Sequence, residues 1–67
     1  MNGEDIEAVL GYLRSHADKG ACRIPDVRTL GGELAMKPGR VQAVLYWLCG
    51  QGVILREGDI VLLLEEV

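Results

Sequence analysis

Residues 26–49 read DVRTLGGELAMKPGRVQAVLYWLC, two stretches of helical apolar spacing with a break between them. Asp26 carries a short acceptor side chain suited to an N-cap, and Val27, Leu30, Leu34 and Ala35 follow on one face of the helix it would start. Gly31 and Gly32 lie in the interior of that helix. Each costs about 1 kcal/mol relative to Ala, so the helix is weak unless a neighbour packs closely on the glycines. Met36-Lys37-Pro38-Gly39 then interrupts the pattern. Pro38 suits the first position of a new helix, where an N–H would have no intrahelical partner. This next helix runs from Pro38 or Gly39 to Cys49, with Val41, Val44, Leu45 and Leu48 as its inward stripe. Two short helices joined by a tight turn spell a helix-turn-helix.

Upstream, the run Asn2-Gly3-Glu4-Asp5 has the chemistry of a helix start, and Ile6, Val9, Leu10, Leu13 and Ala17 recur at helical spacing. A first helix is expected over 4–17, ended by Lys19-Gly20. Residues 21–24 read as a short extended segment, because Pro25 pushes Ile24 out of the helical region. Downstream, Gly50-Gln51-Gly52 stops the last helix. The apolar runs Val53-Ile54-Leu55 and Ile60-Val61-Leu62-Leu63-Leu64 follow, with Glu57-Gly58 near the turn of the hairpin they form. The expected fold class is α+β: a winged helix-turn-helix of three helices, a short strand and a C-terminal hairpin, as one domain over 1–67. The second hairpin strand is apolar on both alternating faces, where a strand with one wet face would alternate. Either helices cover both sides or a partner does, and a homodimer is the expected partner. Glu65 and Glu66 read as a solubilising tail.

Composition narrows the function. A chain of 67 residues buries only about 60% of its unfolded surface, so one core is all it supports. It has no 18-residue apolar run, and its acidic N-terminal stretch is unlike a basic secretory leader. A cytoplasmic protein without membrane contact is expected. Cys22 and Cys49 with a single His do not have zinc-ligand spacing and read as small apolar fillers. His16 reads as a solvated helix-end residue. No phosphate-binding glycine loop and no nucleophile–base set is present, so neither an enzyme, a cofactor nor a small-molecule substrate is expected. The formal net charge is −3, but it is unevenly spread. Arg14, Lys19, Arg23, Arg28, Lys37 and Arg40 outnumber Asp18, Asp26 and Glu33 in the middle of the chain, the only part a polyanion would approach.

From Ile24 to about Leu64 the chain resembles the DNA-binding domain of GntR-type bacterial regulators. IPDVRTL corresponds to that family's Leu-Pro-Ser-x-Arg-x-Leu stretch, with Asp26 in place of the capping Ser and Arg28 at the family's Arg. GELAMKPGRVQAVLYWLCGQGVI then follows its turn and third helix without a gap, with Val41, Leu45, Leu48, Gly52 and Ile54 on its apolar or glycine positions. The resemblance implies double-stranded DNA as partner, a third helix in the major groove, and a role in transcriptional regulation. It implies contacts from Arg28, Lys37, Gly39, Arg40 and Gln42. Lys37 would meet phosphate, Arg40 would pair with guanine and Gln42 with adenine. Arg56 in the hairpin would touch the backbone or minor groove. The chain departs from the family where Lys37 replaces a Ser or Thr cap, where Pro38 and Gln42 stand in place of Arg, and where Glu57 and Asp59 flank the hairpin tip.

Tyr46 and Trp47 support a second reading. They fall on the exposed face of the third helix with Arg40, Gln42, Ala43, Gly50 and Gln51. Their rings fold back on the hairpin to complete the core, or anchor a protein contact, since Trp, Tyr and Arg are enriched at binding hot spots, or stack on single-stranded bases, which would normally come with a basic groove that is not evident here. The domain is then a winged-helix adaptor working through Tyr46, Trp47 and the hairpin. A basic face joining Arg28, Lys37 and Arg40 favours DNA. A neutral or acidic face with an exposed Trp47 favours the adaptor.

Overall fold

Capping and apolar spacing set the helices of the computed structural model, which describes residues 2–64. The side chain of Asn2 accepts the Glu4 N–H at 2.8 Å and starts α1 (Gly3–His16). Glu4 and Asp5 in its first turn and Arg14 in its last suit the helix dipole. The helix closes at His16, one residue before the expected end, and Ala17 is already extended. Lys19 and Gly20 instead form the turn into β1 (Ala21–Arg23), both with positive φ. His16 is exposed as expected, and its ring stacks on Tyr12 with centroids 4.0 Å apart.

Asp26 caps α2 (Val27–Leu34), accepting the Thr29 N–H at 2.9 Å. The helix stops at Leu34, and Ala35 takes a left-handed conformation (φ 55, ψ 40) with its N–H on the Gly31 carbonyl. This corrects the expected placement of Ala35 on the inward face: it is exposed, and the reversal sends Met36 into the core in its stead. The turn folds back onto the helix it ends. A Cβ built on Gly31 would stand 2.5 Å from the Met36 carbonyl oxygen, whereas one on Gly32 would meet nothing within 4 Å. The close neighbour that the double glycine called for therefore lies over Gly31 alone.

Pro38 opens α3 (Pro38–Gly50), and Lys37 before it makes no side-chain cap bond. The chain then returns through β2 (Ile54–Glu57) and β3 (Ile60–Leu63). β3 is the centre of an antiparallel sheet of order β1-β3-β2, because the short strand β1 pairs with it as well. The pairing continues past β1, where the Ile24 N–H donates to the Asp59 carbonyl at 2.8 Å. The result is a small α+β domain with three helices and one three-stranded antiparallel sheet, a layout compatible with a winged helix.

The core lies between the helices and one face of that sheet. Val9 and Leu13 of α1, Leu30 of α2 and Val41, Val44, Leu45 and Leu48 of α3 meet Cys22, Ile54 and Val61 of the strands. Leu63 packs against this cluster too, while Leu55, Ile60 and Leu62 point the other way. Strand β3 is thus apolar on both faces with helices on only one. Among the described residues no helix is long and apolar enough to cross a membrane. Glu65 and Glu66, the expected acidic tail, lie outside the described residues.

Candidate functional site

At about 100° per residue, burying Val41, Val44, Leu45 and Leu48 leaves Gly39, Gln42, Ala43, Tyr46 and Gly50 on the far side of α3. All five are exposed, four of them (Gln42, Ala43, Tyr46 and Gly50) as the sequence predicted for this face. Arg40 and Trp47 flank it on one side. Tyr46 is 82% exposed and Trp47 40%. Neither ring belongs to the core cluster, so the alternative in which both fold back to complete it does not describe Tyr46 at all and describes Trp47 only in part.

Arg40 was expected to face outward unencumbered, and the structure ties it to α1. Its Nε donates to Asp5 Oδ2 at 2.9 Å, and its Nη2 donates to the same oxygen. The Asp5 side chain is 14% exposed and the Arg40 side chain 51%. Asn2, Ala43 and Val44 line a shallow cleft with this pair. Two donors of the guanidinium are thereby committed, which lowers the positive potential on this flank of α3. The two residues stand 35 positions apart, so no local pattern in the sequence announces them.

The other predicted contacts are distributed as follows. Lys37, Gly39 and Gln42 are exposed on or beside the first turn of α3. Arg28 is exposed in the first turn of α2 next to the capping Asp26. The carboxyl of Asp26 is held below the usual range chiefly by the Thr29 backbone N–H, with the Thr29 hydroxyl and Arg28 adding to this. Arg56 is half-buried, and its Nε donates to the Gly58 carbonyl at 3.1 Å, turned onto its own hairpin tip. Glu57 and Asp59 beside it are exposed, and Asp59 Oδ2 lies 3.7 Å from Arg23 Nε. The structure thus gathers Lys37, Gly39, Arg40 and Gln42 around the start of α3, and it engages Arg40 and Arg56 internally.

Burial pushes the Cys22 thiol up, and it pushes the Tyr12 phenol up with help from Glu33 and Cys22. Neither shift activates a nucleophile, because both favour the protonated form. Among the described residues no cluster of His, Cys, Asp or Glu has the makings of a metal site. Comparison with protein-family models, with curated proteins and with solved structures gave no match. The likeness to GntR-type domains accordingly rests on the residues quoted for it.

Proposed function

We propose that this domain is a protein-interaction module of winged-helix layout, which engages its partner through the Tyr46 and Trp47 face of α3. The observation that carries the reading is an α3 face whose most exposed large hydrophobic side chain is Tyr46, at 82%, with the neighbouring arginine already held by Asp5. Gly39, Ala43 and Gly50 keep the rest of that face low, so Tyr46 stands out from it. A partner pocket enclosing these rings would draw on the residue types that dominate hot spots, where truncation typically costs about 2 kcal/mol or more.

Electrostatics favour this reading over DNA. Proteins that hold duplex DNA tightly neutralise on the order of six to ten phosphates, each contributing about 0.9 to the salt slope. Of the four cations predicted to contact DNA, Arg28 and Lys37 remain after Arg40 and Arg56 have taken internal partners, and the hairpin tip carries Glu57 and Asp59. Two phosphate contacts give a slope of roughly −2 and little affinity at physiological salt.

DNA binding is the second reading, favoured by the exposed Lys37 and Arg28 near the starts of α3 and α2 and by the GntR-like sequence. In it, guanine or phosphate displaces Asp5 from Arg40. One experiment separates the two. The wild type, Tyr46→Ala/Trp47→Ala and Arg28→Ala/Lys37→Ala are used as baits in affinity capture and in duplex-DNA gel shifts at low salt. The adaptor reading expects a protein captured by the wild type and the basic-pair variant but lost from the aromatic-pair variant, with no shift of DNA. A DNA shift abolished by the basic-pair variant, with an unchanged set of captured proteins, replaces it with the DNA reading.

A further inference from the structure

We infer that the outer face of the sheet is a self-association surface, on which two copies pack face to face about a twofold axis running along β3. The strand register sets two rows across that face. Ala21, Leu62 and Leu55 lie side by side in one, and Arg23, Ile60 and Glu57 in the other. The first row is apolar, and Leu55, on the edge strand β2, is 47% exposed. Leu62 and Ile60 on the central strand are half-buried and do not pack against the core. Among the described residues, the strand side chains that pack with the helices in the core are Cys22, Ile54, Val61 and Leu63, on the other face.

Charge and size pick out the occupant. A twofold axis along β3 keeps each row on its own counterpart and exchanges the two edges, so β1 of one copy lies over β2 of the other. Arg23 then faces Glu57 of the second copy, twice by symmetry, and Leu62 meets Leu62. The small Ala21 lies beneath the protruding Leu55, again twice. An axis across the strands would instead set Arg23 over Ala21 and Glu57 over Leu55, leaving four charges on apolar neighbours without partners. Only the first arrangement complements itself, which is what an isologous interface requires. Among the described residues the Arg23 guanidinium meets Asp59 at 3.7 Å, with both side chains more than half exposed. The pair is too wet to hold the arginine back.

Area sets the strength. Three strands about 4.8 Å apart and four residues long at about 3.3 Å each give a footprint of roughly 200 Å² per copy. Stable complexes bury about 800 Å² per partner. The dimer is therefore weak and forms where local concentration is high. The surface is separate from Tyr46 and Trp47, so the inference stands or falls independently of the proposed function.

Sedimentation equilibrium from about 10 μM to about 1 mM, which spans weak association free energies of roughly −4 to −7 kcal/mol, tests it. The wild type should rise from 7.3 kDa toward twice that mass. Leu62→Asp should stay monomeric throughout. Arg23→Glu and Glu57→Arg should each weaken association about tenfold, and the double exchange should restore it, because both positions are exposed and the swapped charges face each other again. Circular dichroism confirms that each variant is folded. A wild type that stays monomeric at the top concentration overturns the inference. So does association unaffected by Leu62→Asp, or a double exchange no better than either single change.

Discussion

Replacing Gly31 by Ala tests whether the helix-turn-helix is held by the close approach seen here. The added Cβ would sit 2.5 Å from the Met36 carbonyl oxygen and 3.4 Å from the Pro38 nitrogen. Both are backbone atoms, so no side chain can swing away. The Met36 peptide is also anchored, since its N–H donates to the Gly31 carbonyl at 2.8 Å. Relief must come from moving the turn and the start of α3 by nearly an ångström. Overpacking of this kind costs about 1–3 kcal/mol, while exchanging Gly for Ala inside a helix returns about 1 kcal/mol. Gly32→Ala gains the same propensity with open space around its Cβ, so it isolates the clash. Gly32→Ala should be more stable than the wild type by up to about 1 kcal/mol. Gly31→Ala should fall about 2 kcal/mol below Gly32→Ala, or roughly 8–16 °C in Tm for a domain of this size. Thermal melts by circular dichroism, with urea titrations beside them, read both changes. If Gly31→Ala melts at or above Gly32→Ala, the turn does not rest on that glycine and the argument fails.

Ala35→Gly should stabilise the domain by up to about 1 kcal/mol, since a left-handed non-glycine residue carries a penalty of roughly 1–2 kcal/mol that glycine avoids at some entropic cost; equal urea midpoints for the two proteins would contradict this. Because the Asp26 carboxyl titrates below its usual range in the folded state, its stabilising effect is complete above the unfolded-state value and is lost as the pH falls through the folded one. The wild type should therefore lose stability in acid more steeply than Asp26→Asn, whose side chain caps without titrating; parallel profiles between pH 6 and 2 would count against the cap. Cys49, half-buried, should react with an aromatic disulfide reagent well before the buried Cys22, whose thiol is further protected by its raised pKa; simultaneous labelling in native buffer would mean that β1 opens freely. Asp5→Asn should lower Tm by roughly 4–8 °C, because a partly exposed ion pair contributes on the order of 1 kcal/mol; a collapse of stability would mean that the pair holds α1 to α3.

The three helices and the inward stripe of α3 were legible because burial repeats every three to four residues, and all four stripe residues are buried as that spacing requires. The stop after Leu34 was not. Ala35 continues the apolar period, and a left-handed alanine has no compositional signature, so only packing of the turn on Gly31 places it. The hairpin was visible from Val53-Ile54-Leu55 and the run after Asp59, but the pairing of β1 with β3 joins segments far apart in the chain. The two apolar faces of β3 were visible too, and the structure assigns each: Val61 and Leu63 to the core, Ile60 and Leu62 outward. On the candidate site, helical phase correctly put Gln42 and Tyr46 outside. The engagement of Arg40 by Asp5 and of Arg56 by its own turn escaped any pattern, since ion pairs leave no periodicity.

Those two engagements bear on what α3 can recognise. Bidentate reading of guanine needs two adjacent guanidinium donors, and in Arg40 both Nε and Nη2 are on Asp5. Breaking this partly exposed pair costs on the order of 1 kcal/mol, up to about tenfold in affinity. Asp5 therefore weakens a DNA contact without forbidding it, and the decision falls to what else α3 offers. It offers Gln42 and Tyr46 on a surface otherwise built of Gly39, Ala43 and Gly50, with Lys37 at its start. A base-reading helix would have to obtain its specificity from one glutamine and one displaced arginine. A protein pocket needs only the rings, which stand exposed in the unbound domain and lose little side-chain freedom on docking. Duplex DNA binding by Asp5→Asn at low salt measures the first possibility directly. A rise well beyond tenfold over the wild type would show that Asp5 holds back a competent reading head, and the aromatic face would then yield its place in the account to Arg40.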